Sequence, residues 1–371
     1  MSDSGEFRVN TQYIDFNKIF LVSDTHWGVR SNSLEWIQNQ QSYFLDFFIP
    51  YIKSKLEPND ILFILGDWFD SRQLLDIHVM NISIDIIMEL ATILPVYMMT
   101  GNHDIYKKND TDVNSLAAFR HIPNVTIYEK PIIVTNNISS ILVMPWIGSK
   151  ELEESYIEDN KVEYVFAHTT IEGFKYDNGR DITSSGVSVH KFSHIKRLFS
   201  GHIHKRQESK NSIYLGSPYH TKRSDIGNSK GIYTFYPNTN QILFEKNTSS
   251  PVFQRIKLEN LLDLTLDHCK YIFHNNYTDV IIPDKYIHIF HLTKFIDLLE
   301  GCKYKKIETI GEGRVIDNAV IIADKIDIKD ILSLIELSIE ELGLNMETLI
   351  KLKLLNKEYY DKAYKGETDL I

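Results

Sequence analysis

The sequence predicts an α/β protein: parallel strands covered by helices, then a smaller α/β module and a helical tail. Three observations predict it. Over residues 1–248, short β-rich runs alternate with helix-spaced apolar patterns, as crossover connections in a parallel sheet require. At "NTSSP" (247–251) that alternation gives way to a strand-like run followed by a helical one. From about Asp327 the chain turns rich in Leu, Ile, Lys and Glu at helical spacing.

The elements follow in order. "KIFLVSDTH" (18–26) is an apolar run ending in polar residues, so it reads as a buried strand that delivers its last side chains to a surface. "SLEWIQNQQSYFLDFFIPYIKSKL" carries apolar residues at helical intervals. Pro50, with no N–H to donate, is expected to interrupt or end its first helix. "DILFILGDWFD" is the second strand, "HVMNISIDIIMELATIL" the second helix and "PVYMMTGNHD" the third strand. Further strands are "SSILVMPW", "VEYVFAHT", "IKRLFSGHIH" and "SIYLGSP", with "GIYTFY" and "QILFEK" as a hairpin. "VFQRIKL" and "IHIFHLTKFIDLLEGC" supply a strand and a helix of the small module. The tail "DIKDILSLIELSIEELGLNMETLIKLKLLNKEYYDKAYK" reads as a helix pair broken near Gly343, with Asp327 as N-cap. The expected domains are 1–248, 249–324 and 325–371.

With 43% apolar and 24% charged residues in 371, the chain has the balance of an ordinary globular protein. Cys269 and Cys302 make no disulfide framework, which fits a reducing compartment. The polar start "MSDSGEFRVN" lacks the apolar core of a signal peptide, and no run reaches the length of a membrane span. The expected location is the cytoplasm, that of a host cell if the source is viral. A net charge of −10 argues against a surface that is basic throughout, since nonspecific DNA affinity comes largely from Lys and Arg displacing counterions. Contact with nucleic acid would need local patches or bound cations. No phosphate-binding GxxxxGK loop is present.

Polar residues gather at the carboxyl ends of the strands, the side on which open α/β sheets bind ligands. Asp24-Thr25-His26 ends the first strand, Gly66-Asp67 the second and Gly101-Asn102-His103-Asp104 the third. Ala167-His168 and Gly201-His202-Ile203-His204 end later ones. His202 and His204, two apart on an extended chain, point to the same side. Each motif alone is ordinary turn or helix-entry chemistry. Together they bring carboxylates, an amide oxygen and imidazoles to one edge. Such a donor set, free of thiolate, suits Mn, Fe or Zn better than a structural sulfur site does.

The set D-x-H, G-D, G-N-H-D, H and G-H-x-H resembles the calcineurin-like metallophosphoesterases over residues 18–245. "VSDTHWG", "GDWFD", "TGNHD", "SGHIHK" and "YLGSPYHTKRSD" narrow the likeness to the nuclease subunits of double-strand-break repair complexes. These include SbcD-type exonucleases, the meiotic-recombination nucleases and the recombination endonuclease subunits of T-even-like phages. The resemblance implies a two-sheet sandwich flanked by helices, with a dinuclear site at one edge and a capping domain that binds DNA. It implies that Asp24, His26 and His204 hold one ion, that Asn102, His168 and His202 hold the other, and that Asp67 bridges both. The ions would be Mn2+, with Mg2+ as the alternative. His103 would assist the leaving group. Asp104 keeps two readings, orienting His103 or capping a following helix. Many relatives carry a histidine where this chain has Asp70, which bears on the balance of exonuclease and endonuclease action.

The chemistry explains the residue types. Two divalent ions neutralise phosphate oxygens and lower the pKa of a water toward neutrality. Neutral ligands leave the site a net positive charge, which a cage of carboxylates would cancel. Lys107, Lys108, Lys205, Arg206, Lys222 and Arg223, with His220, are expected at a basic rim. The implied partners are DNA, an SMC-like coiled-coil ATPase docking on residues 325–371, and a second copy of the chain. The tail packing on its own module is the alternative. The competing functions are a phosphodiesterase or phosphatase on another substrate, and a catalytically silent scaffold. All seven ligand positions are filled, which argues against the scaffold.

Overall fold

The computed structural model describes residues 7–107, 110–188, 192, 194–262, 264–286, 290, 292–311, 347, 348, 350–352, 354 and 355. The chain divides into two compact units, Met1–Ser250 and Pro251–Ile371.

The first unit is built on two sheets. In one, the order is Gln241–Lys246, Gly231–Tyr236, Ile19–Val22, Ile61–Ile64, Val96–Met99 and Val125–Tyr128. Its four strands from Ile19–Val22 to Val125–Tyr128 run parallel, and the Gly231–Lys246 hairpin is antiparallel. The other sheet runs Thr11–Tyr13, Ile132–Thr135, Ser140–Met144, Tyr164–His168, Arg197–Gly201, Ser212–Tyr214 and Gln207–Ser209. The central strands, such as Ile19–Val22, Ile61–Ile64 and Tyr164–His168, are short and buried on both faces, which accounts for their unbroken apolar runs. Leu21, Phe63, Met99, Val143, Phe166 and Phe199 fill the space between the sheets. Their neighbours Phe20, Val22, Leu62 and Ile64 pack outward against Phe44, Phe48, Ile86 and Leu90 of the helices. On the far side, Val165, Ala167 and Leu198 meet Ile157 of the helix Lys150–Asp159.

The strand ends that sequence reading brought to one sheet edge therefore come from two. Asp24, Asp67 and Asn102 follow strands of the first sheet, and His168, His202 and His204 belong to the second. Alternation with helices marks parallel strands but does not say which sheet each joins.

Pro50 does not end its helix. Residues Leu34–Ser42, Tyr43–Phe48 and Ile49–Lys55 are contiguous helical segments, the middle one wound in wider π-type turns. The Ile49 N–H reaches back five residues to the Phe44 carbonyl, so Pro50 opens the last segment, where a missing donor costs little.

The second unit holds three parallel strands, Phe253–Lys257, Tyr277–Ile282 and Lys306–Gly311. The helices Leu266–Phe273 and Leu292–Leu298 pack Cys269, Phe273 and Phe295 against Val280 and Ile307. The helix pair expected from Asp327 lies outside the described residues, apart from 347, 348, 350–352, 354 and 355, which are helical. Among the described residues no helix is long and apolar enough to cross a membrane.

Candidate metal centre

The ligand-bearing loops can converge because two glycines leave room. A Cβ on Gly101 would sit 2.2 Å from Asp67 Oδ1, and one on Gly201 would sit 2.1 Å from Ser23 Oγ and 2.5 Å from the Leu65 carbonyl. No side chain fits at either place. The backbone is also strained at the site itself: Asp24, His26, Asp67 and His202 have φ of 54°, 45°, 51° and 87°. Non-glycine residues seldom adopt this left-handed region, at a cost of about 1–3 kcal/mol each, and such strain concentrates at functional sites. Backbone bonds hold the loops in register, from Asp24 N–H to the Gly66 carbonyl and from His26 N–H to that of Asp67, both at 3.1 Å.

Three groups of donor atoms result, each with its atoms within 4.8 Å of one another: Asp24, His26 and His204; Asp67, His168 and His202; and His26, Asp67 and His103. Asp67 joins them. Its Oδ2 lies 3.3 Å from His168 Nε2 and 3.6 Å from His26 Nε2. Asn102 Oδ1 stands 3.2 Å from His168 Nε2 and 2.7 Å from His202 Nδ1. All seven residues expected as ligands thus meet in one place. His168 Nδ1 donates to the Leu65 carbonyl at 2.7 Å, which leaves Nε2 as the nitrogen turned to Asp67 and Asn102.

The electrostatics call for a cation. Burial opposes the ionisation of Asp67, yet His168, His26 and His103 outweigh it and hold the carboxyl far below the usual range. Burial likewise opposes charging His168, but the Asp67 carboxylate pushes it up to about 9. Burial drives His202 down to about 4 and His204 well below the ordinary value, which keeps lone pairs available. Asp24 Oδ2 and His26 Nε2 are buried without any hydrogen-bond partner. Orphaned donor and acceptor atoms among N/O ligands are what divalent ions satisfy, so the residues fit such ions.

His103 lies beside this group, its ring edge-on to His26 with centroids 4.8 Å apart. Its main-chain N–H donates to Asp67 Oδ1 at 2.7 Å, and Nδ1 donates to the Asp70 carbonyl at 2.6 Å. Asp104 takes neither expected role. It is buried, its Oδ1 accepts the Trp68 and Phe69 N–H groups at 3.1 and 3.2 Å, and its Oδ2 accepts Gly101 N–H at 2.8 Å. The strand Ile105–Lys107, not a helix, follows it. Asp104 ties the Asp67 loop to the Asn102 loop.

Within the expected rim, His220 turns inward with Nε2 on the Asn228 carbonyl at 3.1 Å, and the Arg206 guanidinium lies 4.2 Å from the Phe244 ring centroid. Lys222 Nζ is paired with Asp177 at 2.7 Å. Lys108 lies outside the described residues. Sequence reading missed the residues that set the loops. Gln40 reaches from its helix to the Thr25 and His26 carbonyls, each at 2.9 Å. Lys230, paired with Asp225 at 3.0 Å, donates to the His204 carbonyl and to Ser217 Oγ. Glu153 accepts from Thr169 Oγ1, one residue beyond His168, at 2.5 Å. None stands in a motif, and only the folded chain brings them to the loops.

Four imidazoles, carboxylates and an amide around a shared Asp, with a fifth histidine at hand, are the groups a metal-dependent phosphoesterase needs. The comparisons agree. The model of the calcineurin-like phosphoesterases matches residues 17–206, and the chain belongs to that family. Exonuclease subunit 1 of Enterobacteria phage T4 is 27% identical over 237 residues, covering 63% of this chain and 68% of that protein. A subunit of the SbcCD nuclease of Staphylococcus epidermidis is 26% identical over 265 residues, covering 62% and 68%. A putative phosphoesterase of Invertebrate iridescent virus 3 is 28% identical over 209 residues, covering 53% of this chain and 55% of its own.

Proposed function

We propose that the protein is a DNA nuclease of recombination and double-strand-break repair, working as the nuclease subunit of a complex with an SMC-like ATPase. The observation that carries the reading is the placement of Asp67 between two groups of donors, beside a histidine that is not needed as a ligand. The phage exonuclease subunit and the SbcCD nuclease subunit support nucleic acid as the substrate. Asp24, His26 and His204 would hold one ion, Asn102, His168 and His202 the other, with Asp67 shared. Mn2+ is the ion proposed. Such ions supply Lewis acidity toward phosphate oxygens and a lowered pKa for water.

The chain's own groups do the rest. Asp67, fixed by the His103 N–H, keeps the two halves of the site at a set separation. His103, its Nδ1–H anchored on the Asp70 carbonyl, presents Nε2 to give a proton to the departing oxygen. Asn102 adds an oxygen ligand without charge, so the site keeps its attraction for phosphate. Proposed with this reading are residues 249–324 as the DNA-binding cap, 325–371 as the segment that docks on the ATPase, and a homodimer.

The test is degradation of end-labelled duplex and single-stranded DNA with Mn2+, against p-nitrophenyl phosphodiesters. Release of nucleotides from DNA, abolished by Asp67→Ala, is expected. Turnover of the small diesters with DNA left intact, in the presence and absence of the ATPase, would overturn the nuclease reading. Inactivity on both would favour a silent scaffold.

A further inference from the structure

Just past His103 stands a small element that belongs to neither sheet of the first unit. The strands Ile105–Lys107 and Asp110–Asn114 form an antiparallel hairpin of their own. A lone hairpin is marginally stable in water, so its rigidity has to come from its root. Ile105 is fully buried, and Asp104 before it is held by the three main-chain N–H groups described above. The Ser115 N–H donates to the Asp104 carbonyl at 2.8 Å and closes the root from the second strand. Asn114 donates to Glu129 Oε1 at 2.7 Å, and its own oxygen accepts the Ala117 N–H at 3.1 Å, capping the 3-10 helix Ser115–Phe119. Phe119 is fully buried and stacks on Phe69, two residues past Asp67, with centroids 5.9 Å apart. The hairpin is thereby fixed to the loops that carry Asp67 and His103.

What it holds out is Tyr106. Ile105 pairs with Asn114 and Lys107 with Asp110, so Tyr106 alone stands opposite Thr111, Asp112 and Val113 across a break in the ladder. Bulges of this kind re-aim side chains and recur beside active sites. Ile105 points inward, and its neighbour Tyr106 therefore points outward. Tyr106 is 48% exposed, Val113 is 59% exposed, and Lys107 is exposed as well. Among the described residues the Tyr106 ring stacks on nothing and its hydroxyl makes no hydrogen bond. An aromatic face open to water beside a cation suits an unpaired nucleic-acid strand, whose bases stack on the ring while its phosphates meet the charge. Tyr106 follows His103 by three residues, at most about 10 Å of chain, which corresponds to about three nucleotides at 3.4 Å per phosphate.

We infer that Tyr106 is a substrate-binding residue that stacks on a base of the strand being cut, close to the scissile phosphate and on the side of the oxygen that His103 serves. The substrate class it selects is an unpaired strand, because a base inside a duplex shows its faces only to its neighbours. The inference rests on the nuclease reading above and deepens it.

The test uses the full-length protein with Mn2+ and two single strands of equal length and charge: oligothymidylate, and an abasic oligodeoxyribose phosphate with no bases to stack. The readouts are KM for cleavage of oligothymidylate and the inhibition constant of the abasic strand against that cleavage. Tyr106→Ala should raise KM about 5–150-fold, the loss of one stacked base, with kcat and the inhibition constant within about twofold of wild type. Tyr106→Phe keeps the ring and should stay within about twofold of wild type in every readout. Metal-free melting temperatures check that both variants fold. A KM unmoved in Tyr106→Ala, or an equal loss against the abasic strand, would overturn the inference and leave the nuclease reading standing. So would a Tyr106→Phe variant as impaired as Tyr106→Ala. Wild type that leaves oligothymidylate uncut, with and without the ATPase, would bring down the nuclease reading itself, and this inference with it.

Discussion

Glu153→Gln is a change next to the site whose effect can be worked out in advance. Glu153 is 4% exposed, on the helix that covers the second sheet, and its oxygens accept from Thr169 Oγ1 at 2.5 Å and Gly148 N–H at 3.3 Å. Burial is the largest influence, and it lifts the carboxyl from 4.5 to about 7 against those two hydrogen bonds. The sign follows from proton binding. Between these pH values the folded state holds a proton that the unfolded state has released, so stability is highest below pH 4.5 and falls as pH rises through 7. From pH 5 to pH 8 that loss is roughly 2–3 kcal/mol. Gln cannot ionise, and its single oxygen serves one of the two donors, a handicap of about 1 kcal/mol at every pH. Urea unfolding of both proteins at pH 5 and pH 8 reads the difference. The variant should be the less stable at pH 5 and the more stable at pH 8. A variant-minus-wild-type difference that stays constant within about 0.5 kcal/mol, the usual scatter between independent measurements, would refute the argument that burial governs this carboxyl.

Other outcomes follow from the same geometry. Lys230→Met leaves Asp225, fully buried, without its 3.0 Å partner and removes a donor from the His204 carbonyl. Urea unfolding should show a loss of about 3–5 kcal/mol. Gly101→Ala drives a Cβ to within 2.2 Å of Asp67 Oδ1 and 2.3 Å of Asp67 N, so Mn2+ affinity measured by calorimetry should fall at least about 10-fold. An unchanged affinity would mean that the loop yields. His103→Gln removes the proton-exchanging ring but no proposed ligand. Phosphodiesterase turnover should drop by about 10²–10⁴ while Mn2+ binding stays as in wild type.

Much of this site can be read along the chain because each ligand closes a strand. A four-residue run such as Ile61–Ile64, apolar on both faces, announces a buried strand, and the Gly66-Asp67 behind it has to emerge at the sheet's edge. The pairing of strands into two sheets is not legible, because Tyr164–His168 and Val96–Met99 look alike as apolar runs and differ only in their neighbours. Pro50 misleads for a local reason: the wide turns before it remove the need for its N–H. Asp104 reads as a catalytic carboxylate from its place beside His103, but two of the three main-chain N–H groups that converge on it, those of Trp68 and Phe69, lie 36 and 35 residues earlier in the chain. Gln40, Asp177 and Lys230 escape notice because their roles are contacts at long sequence separation, without periodicity or motif to mark them.

Anomalous diffraction from crystals soaked in Mn2+ tests the centre of the account most directly. It predicts two peaks about 3.5–4 Å apart, one among Asp24, His26 and His204 and one among Asn102, His168 and His202, with Asp67 touching both. A map without a peak at Asp67, or with a single ion held elsewhere, would contradict it.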